Sequence, residues 1–183
     1  MSRVCVFLAD GFEEIEGLTV VDLLRRAGIE TDTVSIMKRK EVNGAHNIII
    51  MSDKLYEEVD YNNYDMLVLP GGMPGTLNLG SHKSLAALLK QFASEGKNIS
   101  AICAAPSVLG DNGILKGKRA VCYPGFEERL AGAVVSNEKT IVDGNIITGK
   151  AMGTAIDFGL AIIEKLINQE TANKIKASIC YNI

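Results

Sequence analysis

Apolar residues fall along this chain in short continuous runs separated by stretches of helical spacing. Val4 to Ala9 is unbroken and partly β-branched, as expected of a strand buried on both faces in a parallel sheet. Residues 16 to 27 space Leu18, Val21, Leu23 and Leu24 as one helical face, with Arg25 and Arg26 late and Gly28 as the stop. A second strand runs from Thr31 to Met37, completing a β-α-β unit with a right-handed crossover. Between Lys40 and Asp65 the pattern turns irregular and predicts a surface excursion, with a short strand at Asn47 to Met51. Met66 to Pro70 is the next buried strand; it breaks into Gly71-Gly72-Met73-Pro74-Gly75, a loop whose glycines let backbone N–H groups approach a ligand.

The second half repeats the alternation. A helix over Leu85 to Phe92 ends near Gly96, and a strand at Asn98 to Ile102 runs into Cys103-Ala104-Ala105-Pro106 and a short helix toward Gly110. Short segments follow at Ala120 to Cys122, Phe126 to Leu130 and Ala133 to Ser136. Thr140 to Thr148 then forms a hairpin turning at Asp143-Gly144. Helices over Gly153 to Ile167 and Thr171 to Ser178 close the pattern. Strands alternating with helices predict an α/β fold with a mostly parallel sheet, and no linker or repeat divides residues 1–183, which read as one domain.

Composition narrows the function classes. Nineteen basic against twenty-two acidic residues give a net charge of −3, which offers no basic footprint for nucleic acid or an anionic membrane. Cys5, Cys103, Cys122 and Cys180 are widely spaced and form no C-x-x-C pair, which argues against zinc and disulfide frameworks and for a reducing, cytoplasmic setting. The first apolar run reaches Asp10 too soon for a signal peptide or a membrane span. The glycine-rich loop has neither a P-loop lysine nor a G-x-G-x-x-G pattern, so phosphate ligands are not favoured.

The chemistry concentrates at two strand ends. Cys103 lies at a strand-to-helix elbow that would present its thiol at the sheet's carboxyl edge, where the amides of the following helix lower a thiol pKa. The plain alternative is a small core filler. Asp10-Gly11-Phe12-Glu13-Glu14-Ile15-Glu16 brings three carboxylates to another loop of the same edge. Glu13 and Glu14 read as residues that favour a helix N-terminus, whereas a carboxyl crowded beside the thiol would stay protonated and donate a hydrogen bond to sulfur. Cys5 reads as core and Cys122 as a buried thiol near the elbow.

Leu8 to Glu16, Val68 to Gly72, Ala101 to Pro106 and Gly153 to Phe158 together resemble the DJ-one branch of the DJ-one/ThiJ/PfpI superfamily, over nearly the whole chain. The resemblance implies a flavodoxin-like three-layer sandwich with a mostly parallel central sheet, of the class I glutamine amidotransferase kind, and a homodimer. It makes Cys103 the reactive cysteine and Glu16 its acid partner, with Gly72 and Ala104 supplying backbone N–H groups to an anion pocket. PfpI-type members carry a histidine directly after the nucleophile; here that residue is Ala104, which disfavours a cysteine peptidase. Tyr123 stands where some relatives have a histidine before proline, and His46 falls where the family has a basic residue near the dimer interface; both are auxiliary candidates.

The implied activity is cysteine-dependent chemistry on small 2-oxoaldehydes or their early glycation adducts, of the glyoxalase III or deglycase type, without cofactor, metal or glutathione. The competing reading makes Cys103 a non-enzymatic oxidation sensor linked to stress protection or chaperone-like binding. A small carbonyl compound is the expected partner in the first case.

Overall fold

The computed structural model describes residues 2–181; Met1, Asn182 and Ile183, the ends of the expected 1–183 domain, lie outside them. In chain order the elements are β1 (Arg3–Leu8), α1 (Glu14–Arg26), β2 (Glu30–Ser35), β3 (Glu41–Asn43), β4 (Ile49–Met51), β5 (Lys54–Leu55) and β6 (Met66–Leu69). They continue with α2 (Gly75–Ser81), α3 (Lys83–Ser94), β7 (Asn98–Ile102), α4 (Pro106–Asp111), β8 (Arg119–Ala120) and β9 (Val134–Val135). The last are β10 (Thr140–Asp143), β11 (Ile146–Gly149), α5 (Ala155–Leu166) and α6 (Gln169–Ser178). Seven strands form one sheet in the order β10-β11-β7-β6-β1-β2-β5, parallel throughout except for the β10–β11 hairpin.

The layering follows from the pleat. Alternate residues of a strand face opposite sides, so Val4, Val6 and Leu8 pack with α1, α5 and Ala172 of α6, whereas Cys5, Phe7 and Ala9 pack with residues of α2, α3 and α4. Every one of these six residues, five in β1 and Ala9 just after it, is fully buried, which is why Val4 to Ala9 reads as an unbroken apolar run. The result is the three-layer α/β sandwich with a mostly parallel central sheet that the resemblance implies.

Two stretches depart from the sequence reading. The glycine-rich loop after β6 passes directly into α2, a helix of low propensity held by the burial of Thr76 and Leu79. Its small residues have a packing reason: a Cβ on Gly75 would lie 2.6 Å from the backbone N of Phe12. The stretch from Lys40 to Asp65 is only partly a surface excursion. β3 and β4 form an antiparallel hairpin, but Tyr64 is buried, and the rings of Tyr56 and Tyr61 pack 6.1 and 5.8 Å from that of Phe7. The Tyr64 hydroxyl donates to Asp32, which also takes the Lys54 ammonium at 2.9 Å. Packing against β1 makes these rings part of the core.

The carboxyl ends of β11, β7, β6 and β1 are neighbours along one sheet edge. All four feed the candidate site, in the crevice where open parallel sheets bind ligands.

Candidate active site

Cys103 follows the last residue of β7 with φ +66°, a left-handed conformation costly for a residue with a side chain. Three backbone hydrogen bonds hold it there. Its N–H donates to the Gly149 carbonyl at 2.9 Å, its own carbonyl accepts from the Tyr123 N–H at 2.7 Å, and the Ala105 N–H closes the turn on Ile102 at 3.1 Å. The elbow expected from sequence is present and turns the thiol toward α1.

Glu16 meets the thiol from the first turn of α1. Its side chain is fully buried; Oε2 accepts the Gly71 N–H at 2.9 Å, and the carboxyl is hydrogen-bonded to the Cys103 thiol. Oε1 is buried without a hydrogen-bond partner among the described residues. Burial pushes the Glu16 carboxyl up to about 7, against the hydrogen bonds from Cys103 and Gly71 and with some help from the charge of Glu13. A buried carboxyl in this state carries a proton for much of the neutral range.

The thiol is not lowered as the sequence reading expects. Burial, and then the charge and hydrogen bond of Glu16, push Cys103 up to about 12, while the N–H groups of Ala104 and Gly72 pull it down. The reason is local. α4 begins only at Pro106, which has no N–H, and is six residues long; the donors that reach sulfur are the two loop amides alone. Because the charge of Glu16 adds to burial in raising the thiol, the two groups titrate as a coupled pair.

The close approach depends on glycine at two places. A Cβ on Gly71 would lie 2.6 Å from the Cβ of Cys103 and 2.7 Å from Oε2 of Glu16. Gly72 has φ +90°, and a Cβ there would lie 2.2 Å from the Glu13 N. Gly71 was missed by sequence reasoning, although it supplies the N–H that fixes Glu16. The Met152 backbone, from the loop after β11, also hydrogen-bonds Glu16, and it too carried no local signal.

The other candidates separate. Tyr123 adjoins the elbow through its backbone, and its side chain is largely exposed. His46 sits in the β3–β4 turn, where its Nδ1 is 2.9 Å from Oε2 of Glu14 and 3.6 Å from Oε2 of Glu13; the Glu14 hydrogen bond raises its pKa. His82 caps α3 by accepting the Leu85 N–H at 3.1 Å, with its ring against Tyr56. Both histidines are thus engaged away from sulfur. Glu14 is more than a residue favoured at a helix start: it is buried, and its Oε1 accepts the N–H groups of His46 at 2.7 Å and Ile48 at 3.4 Å. Burial alone would raise it, but these hydrogen bonds and that of the His46 ring leave it below the usual value. Cys5 and Cys122 are buried, both raised chiefly by burial, Cys122 to about 11; Cys180 is exposed.

The chain matches known proteins along most of its length. It is 35% identical to "Protein DJ-1 homolog B" of Arabidopsis thaliana over 92% of the chain, a match that spans 39% of the plant protein; the chain thus covers less than half the length of that relative. It is 33% identical to a Pyrococcus abyssi protein named as a deglycase, over 82% of this chain and 91% of that one. The solved structure of oxidized DJ-1 from Toxoplasma gondii superposes with a TM-score of 0.96 at 36% identity, covering 100% of both chains. With residues 2–165 matching the family model, the chain belongs to the DJ-1/PfpI family.

Proposed function

We propose that this protein is a glutathione-independent enzyme that uses Cys103 and Glu16 to convert small 2-oxoaldehydes, or the early adducts they form, into 2-hydroxy acids, acting in the cytosol as a homodimer. The observation that carries the reading is the buried Glu16 carboxyl, hydrogen-bonded at once to the Cys103 thiol and the Gly71 N–H. The name of the Pyrococcus relative favours the same chemistry.

Sulfur adds to the aldehyde carbon: the S–C bond forms, the thiol proton passes to Glu16, and Glu16 hands it on to the carbonyl oxygen, which becomes a hydroxyl and leaves the carboxylate free. The Gly72 and Ala104 amides stabilise the negative charge that develops in this step. A carboxyl titrating near 7 both accepts and returns protons at neutral pH, so Glu16 carries one from the aldehyde carbon to its neighbour. That shift reduces the adjacent carbonyl to an alcohol while the sulfur-bearing carbon becomes a thioester. Water then cleaves the S–C bond, releasing the 2-hydroxy acid and regenerating the thiol. Tyr123 and His46 take no step in this scheme.

The test is lactate formation from methylglyoxal without glutathione. Wild type should turn over, and Cys103→Ser and Glu16→Gln should each lose activity at least a hundredfold; full turnover by Cys103→Ser would end the proposal.

A second reading has its own support. A partly exposed thiol facing two backbone donors and a protonatable carboxyl is also suited to hold a sulfinate, and one structural neighbour is described as oxidized. If no carbonyl substrate is turned over, a Cys103 that takes up peroxide oxygen ahead of the other cysteines would make the protein an oxidation sensor. Peptidase activity is disfavoured, since Ala104 follows the cysteine and both histidines are engaged elsewhere.

A further inference from the structure

Two carboxylates and an imidazole that the proposed reaction does not use meet beside the first turn of α1. Glu13 and Glu14 come from the start of the helix and His46 from the β3–β4 turn. One ligand atom from each of the three lies within 4.8 Å of the others. The Nδ1 of His46 stands 2.9 Å from Glu14 Oε2 and 3.6 Å from Glu13 Oε2. In a tetrahedral site with bonds of about 2.0–2.2 Å, neighbouring donor atoms are about 3.3–3.6 Å apart. The two separations that involve His46 are therefore within about 0.4 Å of cation geometry, and the two carboxylates lie within 4.8 Å of each other.

Two further observations favour an ion here. The first is charge. Among the described residues no Lys or Arg forms an ion pair with Glu13 or Glu14, so one imidazole is their sole cationic partner, and even a protonated His46 leaves an excess negative charge against the buried Glu14. The second is preorganisation. Glu14 Oε1 is fixed by the N–H groups of His46 and Ile48, leaving Oε2 to face the other two ligands; such outer hydrogen bonds orient ligating carboxylates. Gly44 lets the hairpin close this far, because a Cβ there would lie 2.1 Å from Oε1.

We propose that Glu13, Glu14 and His46 form a binding site for a borderline divalent cation. One imidazole with two carboxylates suits Zn2+ better than Mg2+ or Ca2+, which prefer oxygen ligands throughout. The cation takes the place of the proton between His46 Nδ1 and Glu14 Oε2. Bound there, it ties the β3–β4 hairpin to the helical turn that carries Glu16. This site is independent of the proposed reaction, which needs no metal.

The test is calorimetric titration with ZnCl2 of Cys103→Ser/Cys180→Ser protein, which lacks the two thiols open to solvent. The expected result is one Zn2+ per chain with proton release, not displaced by excess Mg2+. Glu13→Gln, whose side chain accepts no hairpin N–H, and His46→Ala should each weaken binding at least tenfold with unchanged far-UV circular dichroism. Absence of binding at about 100 μM zinc, far above the level at which a built zinc site saturates, would overturn the proposal. So would binding that survives both substitutions, since it would belong to other surface groups.

Discussion

The carboxyl of Glu16 and the thiol of Cys103 are hydrogen-bonded partners inside the sheet edge, and the Gly71 N–H holds the carboxyl in place at 2.9 Å. Neither group has its ordinary acidity there: burial raises both, the charge of Glu16 raises the thiol further, and the hydrogen bond from the thiol holds the carboxyl partly down. The site thereby keeps a proton next to sulfur at neutral pH, and the expected behaviour of several variants follows from that.

Stability should depend on pH through Glu16. Its carboxyl titrates at 4.5 in an ordinary setting and near 7 in the folded protein, so between those values the folded state binds more protons. Wild-type stability therefore falls as pH rises from about 4.5 to 7 and is unaffected by this group outside that window. Glu16→Gln escapes the penalty. Relative to wild type it should gain nothing at pH 4 and up to about 3 kcal/mol at pH 8, measured from urea midpoints across pH. An offset that does not change with pH would contradict the assigned shift.

Gly71→Ala should damage the site while replacing neither functional side chain. The new Cβ would press on Cys103 and Glu16 at 2.6 and 2.7 Å, at a cost of about 1–3 kcal/mol in stability. It should also reduce turnover at least tenfold, since small displacements of catalytic groups are costly. Retained turnover with retained stability would show that the approach is looser than described.

Native-state alkylation should sort the cysteines by exposure. Iodoacetamide followed by peptide mapping should label Cys103 and Cys180 and spare Cys5 and Cys122, which are buried. Labelling of Cys122 at the rate of Cys103 would indicate an opening that this packing does not contain.

Glu14 and Glu13 adjoin in sequence but should respond differently to truncation. Glu14→Ala leaves the N–H groups of His46 and Ile48 without their acceptor and should cost about 1–3 kcal/mol, with faster hydrogen exchange at those two amides. Glu13→Ala should leave both protected. Equal exchange in the two variants would remove Glu14 as the anchor of the hairpin.

Much of the fold could be read from the chain because buried parallel strands leave continuous apolar runs: β1, β6 and β7 fall where those runs are. α2 did not show, since Gly75, Thr76 and Gly80 are poor helix formers and Gly75 serves close packing against the Gly11–Phe12 turn. The Lys40 to Asp65 stretch reads as a surface excursion because polar and acidic neighbours conceal how far the rings of Tyr56 and Tyr61 reach toward Phe7 of β1. The elbow cysteine and its acid were legible through the resemblance, but the direction of the thiol shift was not. Elbow geometry says which amides lie near; burial, which decides the sign here, exists only once Glu16 and the Gly71 loop have closed over the sulfur. The Glu14–His46 contact was likewise hidden, because it joins a helix start to a hairpin turn that have no shared periodicity.

The central claim is that Cys103 and Glu16 act as one unit, and a double-mutant cycle on glutathione-free lactate formation tests it most directly. Cys103→Ser, Glu16→Gln and the double variant should all fall to the same residual rate, because either change alone removes the shared proton path. If the double variant is slower than either single variant by the product of their separate losses, the two residues act independently and the account is contradicted.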